Sequence, residues 1–324
     1  MTIRPTTDFR MTSAEWAVLL ALSLVWGGGF FFGQLALAEL PPFTIVFCRV
    51  TLATVALLVT AAMTRQTIAL PIGAWPIFLG LGMLNCLVPF ALLLWGQAQM
   101  GSGLTSVLAA TTPLFTVLVA HFLSPDERLT KARLIGVSLG FAGAAVALSP
   151  ALPEAADNLL PGASVLAAAL CYAFAGVLGR RVSGMPTLTL AVGQLATTSL
   201  LSLPIALAIE KPWSLAMPSA TAWAALLALA LFSTALGYLL FFRLLARAGA
   251  VNVSLVSLLV PITSLLLAGL VLGEPLGWRE ISGMGLILVG LAVLDGRRGR
   301  STAVVDLTRP SALTSVSVES GHKQ

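Results

Sequence analysis

Of 324 residues, 58% are hydrophobic and only 10% charged, with a formal net charge of +5 and a mean hydropathy of +0.97. Soluble domains carry about 25% charged residues, so an aqueous core of this length could not hide so much apolar surface and lipid must be the main solvent. The basic excess therefore concerns which loops carry Lys and Arg, and not nucleic acid. The three cysteines (Cys48, Cys86 and Cys171) lie inside apolar stretches and imply neither a disulfide nor a metal site.

Residues 1–13 are polar and expected to be cytoplasmic. The apolar run behind them outlasts the h-region of a signal peptide, so it reads as a permanent first helix. About 20 mainly apolar residues are needed to cross the hydrocarbon. That ruler yields ten spans, near 14–38, 42–63, 73–95, 102–123, 132–149, 160–179, 187–209, 219–242, 250–272 and 280–295. Pro41-Pro42, Pro71, Gly101, Pro125, Pro150, Pro186, Pro212 and Gly273-Glu274-Pro275 separate the runs. Residues 297–324, polar and without helical period, read as a disordered cytoplasmic tail.

Charge orients the spans. One set of connecting segments carries Arg4, Arg10, Arg65, Arg128, Lys131, Arg133, Arg180, Arg181, Arg243, Arg247 and the basic residues of the tail. The opposite set carries Lys211 and Arg279, with the acids Glu39, Glu154, Asp157, Glu210 and Glu274. The bias predicts a multi-pass protein of a bacterial-type inner (plasma) membrane with both termini cytoplasmic.

The chain also repeats itself. A shift of 148 places Gly101-Ser102-Gly103-Leu104-Thr105-Ser106 on Gly249-Ala250-Val251-Asn252-Val253-Ser254, Pro113 on Pro261 and Asn85 on Ser233. After a one-residue gap, Glu127 meets Glu274, Gly136 meets Gly283 and Gly143 meets Gly290, and Trp26 falls opposite Tyr172. The repeats are residues 14–149 and 150–296, with five spans each. An odd number inverts the second relative to the first, an arrangement that lets secondary transporters alternate between two faces. The expected fold is thus all-α and integral to the membrane, with ten helices as two inverted five-helix repeats.

Trp26-Gly27-Gly28 in the first span, Arg49 in the second, the prolines of spans four and nine, and the glutamate junctions at Glu127 and Glu274 before Gly-rich spans form a combined pattern. Across residues 14–296 it resembles the EamA-type members of the drug/metabolite transporter superfamily. The resemblance implies an exporter of amino acids, related metabolites or drugs, with a central cavity between the halves.

Several residues are candidates for that cavity. In span nine Ser254, Ser257, Pro261 and Ser264 share one helical face, matched in span four by Ser106, Ala109, Pro113 and Thr116. Each proline frees a carbonyl one turn earlier, which needs a partner in lipid. Pro89, Pro113 and Pro261 are therefore the candidate helix breaks and gating points. Asn85 of span three, Tyr238 of span eight and the repeat-related aromatics Trp26 and Tyr172 supply hydrogen-bonding groups among apolar walls, as small-molecule sites do. Arg49 lies roughly 10 Å deep by helix rise. It either attracts the carboxylate of an anionic or zwitterionic substrate, or snorkels outward or bonds exposed carbonyls near a helix end. The glycine groups Gly29-x-x-x-Gly33, Gly136-x-x-x-Gly140 and Gly283, Gly285, Gly290 read as close helix packing.

No Asp or Glu falls mid-span, which disfavours exchange of protons for cationic drugs at a buried carboxylate. His121 reads as interfacial. The expected partners are a small-molecule substrate and the bilayer, without nucleic acid or cofactor, in a monomer or a homodimer. The competing functions are a membrane-embedded enzyme on a lipid-linked substrate, for which two histidines are a thin supply, and a channel or scaffold subunit.

Overall fold

A computed structural model describes residues 11–124, 130–147, 159–182, 184–272 and 277–296. The expectations for the N-terminal ten residues, Pro125, Glu127, the 150–158 connection, Glu274-Pro275 and the tail lie outside the described residues. Among the described residues regular structure is entirely helical. In chain order the helices are α1 Ser13–Leu37, α2 Pro42–Met63, α3 Trp75–Gly82, α4 Val88–Ala109, α5 Thr112–Leu123 and α6 Lys131–Ala147. There follow α7 Leu159–Arg181, α8 Thr187–Ile209, α9 Ala220–Ala228, α10 Gly237–Ser254, α11 Val256–Leu272 and α12 Trp278–Gly296. Met83–Leu87 joins α3 to α4 and Leu229–Leu236 joins α9 to α10 as π-helical segments, so the backbone does not break there.

Among the described residues six helical stretches are long and apolar enough to cross a membrane, and α5 and the central parts of α6 and α12 are shorter apolar helices. Two of the six, Ile72–Ala109 and Ala220–Ser254, have 38 and 35 residues. A single crossing uses about 17–25 residues. Each of these stretches turns a corner at one glycine, Gly101 (φ 77°, ψ 170°) and Gly249 (φ 82°, ψ 168°). Those angles are accessible almost only to glycine, which explains the residue at both corners.

Two expected boundaries move. The third run continues as helix to the Gly101 corner instead of ending near 95. Gln97, polar enough to suggest a loop, is buried and donates from Nε2 to the Phe30 carbonyl (2.7 Å) and to Gln34 Oε1 (3.3 Å). The eighth run likewise passes 242 and reaches the corner at Gly249, with Arg243 and Arg247 on its exposed side.

Contacts at the helix ends sort into two groups. At one, Arg180 Nη1 donates to the Leu245 and Ala246 carbonyls (3.3 and 2.6 Å), and Arg181 Nη2 to the Leu123 carbonyl (2.9 Å). Cations there complement the carbonyl-rich ends of helices. At the other, Pro42 opens α2 and brings no N–H. The next donors, Phe43 N and Thr44 N, go to Glu210 Oε1 and Oε2 (2.9 and 2.6 Å), joined by the Thr44 hydroxyl (2.8 Å). Beside it the Ser219 hydroxyl and N–H both donate to Glu39 (2.5 and 2.7 Å) and hold its carboxyl below the usual carboxylate range. A carboxylate at a helix N-terminus is stabilised by free N–H groups and by the helix dipole.

In the interior α2 packs on α8, α1 on α11, α4 on α7 and α6 on α12. The last seam is made of glycine: a Cβ at Gly143 would sit 2.7 Å from the Gly283 carbonyl oxygen, and one at Gly290 would sit 2.6 Å from that of Gly136. Small residues permit such backbone contact in lipid. Gly285, grouped with them in the sequence, faces open space.

Candidate functional site

Pro89 lacks an N–H, so the Asn85 carbonyl one turn earlier loses its helical donor. Tyr238 fills the vacancy by donating its hydroxyl to Asn85 O. In the second π-helical segment the Gly237 N–H reaches back to Phe232, and the Ser233 carbonyl instead accepts from Trp26 Nε1 at 3.1 Å. Two buried carbonyls in lipid are thus satisfied by aromatic side chains from other helices, as the absence of water there requires. π-helical insertions are frequent at functional sites.

These bonds frame a cavity of about 120 Å³. Trp26, Arg49, Asn85, Tyr172, Tyr238 and Ser257, the six candidates from the sequence, all line it. Its walls also contain Phe90, Gln97, Ser233 and Phe241. Trp26 stands 5.7 Å from Phe241 and edge-on to Tyr238 at 6.4 Å between ring centroids, so the aromatics form one continuous surface.

Arg49 is 8% exposed, which excludes snorkelling. Its Nε donates to Thr234 Oγ1 at 3.0 Å, and its guanidinium carbon lies 3.9 Å from the centre of the Phe90 ring. Thr234 donates its own proton to the Leu229 carbonyl (2.7 Å), which turns its oxygen lone pairs toward Arg49. Asn85 Nδ2 donates to Gln194 Oε1 at 3.0 Å, and the buried Gln194 Nε2 has no partner among the described residues.

None of the three prolines lines the cavity. Pro113 does not interrupt a helix: the chain bends at Ala110–Thr111, and Pro113 falls in the first turn of α5, where its missing N–H is tolerated. The carbonyl it frees, Ala109 O, accepts from the Thr112 hydroxyl at 2.7 Å. Pro89 likewise opens α4, and Pro261 lies inside α11. The serine face of span nine divides: Ser254 and Ser257 reach the cavity, whereas the Ser264 hydroxyl bonds the Gly27 carbonyl of α1 at 3.3 Å. Ala109 and Thr116 of the matching face also line the cavity, and Ser106 turns back to the Gly103 carbonyl. His121 is exposed at the end of α5, against Phe122.

Phe90, Thr234 and Gln97 were not singled out from sequence. Phe90 lies in an apolar run without contrast, Thr234 stands beside Ser233, the residue that the repeat pairs with Asn85, and Gln97 sits where a span was expected to have ended. The available signal was the 148-residue shift, which places Phe90 on Tyr238. Among the described residues no group of His, Cys, Asp and Glu could hold a metal ion, and all three cysteines are free thiols.

Comparison with known proteins agrees with this architecture. Residues 14–149 and 162–294 match the EamA-like transporter family. A probable amino-acid metabolite efflux pump of Salmonella typhimurium is 28% identical over 305 residues, covering 91% of this chain and 99% of that protein. A protein of the same description from Escherichia coli is 26% identical with the same coverage. An uncharacterized transporter of Archaeoglobus fulgidus is 26% identical over 88% of this chain and 99% of its own length. A crystal structure with 21% sequence identity superposes with a TM-score of 0.73 over 90% of this chain and all of that one, a likeness of fold.

Proposed function

This chain belongs to the EamA-like transporter family, and from that premise we propose a secondary transporter that exports small metabolites, such as amino acids, or drugs by alternating access. It is a multi-pass membrane protein of a family of transporters, not enzymes. The observation that carries the proposal is the single cavity on which Trp26, Asn85, Tyr172 and Ser233, paired by the sequence repeat, converge with Arg49 and Tyr238. Two relatives named as amino-acid metabolite efflux pumps, aligned almost end to end, favour the outward direction and the cargo class.

The proposed framework is ten spans in two inverted five-helix repeats. Support for that count comes from the Gly101 and Gly249 corners, which divide the two over-long helices. The packing of α2 on α8 and of α6 on α12, helices equivalent under the repeat, is the arrangement expected of helices beside a two-fold axis in the membrane plane. Both termini are assigned to the cytoplasm. The Arg180–Leu245 and Arg181–Leu123 bonds join the ends of spans four, six and eight, while Glu39–Ser219 and Glu210–Thr44 join ends of opposite parity, as strict alternation demands.

The test is flux. Purified protein in liposomes, loaded with a panel of amino acids and their metabolites, is expected to release at least one solute saturably. Flux that rises linearly with concentration for every solute would indicate a channel, and none at all would sink the transporter reading.

A further inference from the structure

We propose that the cavity takes a ring-bearing organic monoanion, whose carboxylate is received end-on by Nη1 and Nη2 of Arg49. This rests on the transporter reading and names its cargo class. Arg49 is the pivotal group. Its Nε bond to Thr234 and its stacking on Phe90 fix one edge and one face of the guanidinium. The Arg49 side chain's hydrogen bond is the one from Nε, so the end-on pair Nη1 and Nη2 has no acceptor among the described residues, and the side chain lines the cavity. A guanidinium removed from water without an anion is costly. The unfilled fork has the geometry that binds a carboxylate bidentately.

The rest of the cavity sets the remaining chemistry. Its lining contains no Asp or Glu among the described residues, so nothing there neutralises a ligand ammonium. Trp26, Tyr172, Tyr238, Phe90 and Phe241 give flat apolar walls, which suit a ring. The volume, about 120 Å³, is near the ~150 Å³ of an apolar hole that accepts benzene, so one ring fits. A cargo of charge −1 leaves an inside-negative cell down the membrane potential. Export then needs no proton-carrying acid in the membrane.

Three probes with the same ring separate the alternatives: 3-phenylpropanoate (anion), phenylalanine (zwitterion) and phenethylamine (cation). Binding to the full-length protein in lipid nanodiscs, followed by titration calorimetry, is expected to favour 3-phenylpropanoate over phenylalanine by about tenfold or more, with no measurable phenethylamine binding. Arg49→Gln should lose at least about tenfold in 3-phenylpropanoate affinity, and Arg49→Lys, which keeps the charge without the fork, should fall between. Equal or tighter phenylalanine binding, any phenethylamine binding, no binding of all three, or an Arg49→Gln variant that keeps wild-type affinity would each overturn the proposal. If Arg49→Gln does not elute as one folded species, the wild-type ranking and Arg49→Lys decide. In liposomes, an inside-negative potential set with valinomycin should speed 3-phenylpropanoate efflux, and an unchanged rate would refute the driving force. Failure of this class is distinguishable from failure of the transporter reading. Saturable phenylalanine flux without anion preference removes only the class; the expected ranking without movement of any solute removes only transport.

Discussion

Asn85 and Ser233 stand 148 positions apart, each in a π-helical segment, and each gives its main-chain carbonyl to an aromatic donor, Tyr238 and Trp26 respectively. The carbonyls are freed differently, by Pro89 in one case and by the i→i−5 reach of Gly237 in the other. The same pairing recurs in their neighbours. Arg49 of α2 bonds Thr234, next to Ser233, and Gln194 of α8 bonds Asn85. Two local solutions thus serve one arrangement, with a cation in one copy where the other has an amide.

Tyr238→Phe should leave the Asn85 carbonyl without its donor. The expected loss is about 0.5–2 kcal/mol, as for buried hydrogen bonds in membrane proteins, read as a lower unfolding midpoint in detergent. Adding Pro89→Ala returns an N–H near the same carbonyl and should recover part of the loss. If the two losses simply add, the two residues are not coupled through that carbonyl.

Gly237→Ala should displace the indole of Trp26, because a Cβ there would lie 2.6 Å from Nε1. Overpacking of this kind costs about 1–3 kcal/mol. Gly285→Ala meets nothing within 4 Å and serves as the control. Equal thermal stability and equal flux for both variants would show that the indole has room to spare.

Alanine at Trp26, Asn85, Tyr172 or Ser257 should weaken cargo binding by about tenfold to hundredfold. The controls are Val55→Ala and Leu200→Ala, at side chains 53% and 65% exposed on the outside of the bundle. Affinities come from the concentration dependence of flux at matched expression. Site variants that track the controls would move the site elsewhere.

Transport should be flat between about pH 6 and 8, where a carboxylate cargo is ionised throughout and no carboxylate lines the cavity among the described residues. Glu39 does not alter this. Its carboxyl is held below the ordinary value of 4.5 by the Ser219 hydroxyl and N–H. A depressed folded value stabilises the protein above the unfolded one, and that contribution is lost only as pH falls through the folded value. Initial rates across this range should superpose for wild type and Glu39→Gln. A midpoint inside the range that vanishes in the variant would mean Glu39 takes part in coupling.

Met217→Cys and Gln66→Cys, both at exposed positions, test orientation on a background without native cysteines. With cytoplasmic termini, an impermeant maleimide should label position 217 in intact cells and position 66 only after lysis. The reverse pattern inverts the topology.

Hydropathy and punctuation made the helical runs legible, because crossing lipid imposes a length and a composition that no side-chain detail alters. The cavity residues were legible where a polar or aromatic group interrupted an apolar run, as at Trp26, Asn85 and Arg49. Phe90 was invisible for the opposite reason: a phenylalanine among leucines carries no contrast until Arg49 is found above it. The π-helical segments left no mark either, since a one-residue widening of the turn has no compositional signature. Gln97 was misjudged because a buried amide whose hydrogen bonds go to another helix looks, in one dimension, like the start of a loop.

The corners at Gly101 and Gly249 carry a consequence about handedness. A Cβ built at Gly101 meets nothing within 4 Å, so side-chain volume is not what forbids alanine there. The obstacle is chirality: φ of 77° with ψ of 170° is the mirror image of an ordinary extended residue, open to a D-amino acid and strained by about 1–3 kcal/mol for an L one. Here glycine acts as the one achiral member of an L-alphabet, able to turn the chain between two helical segments without a loop.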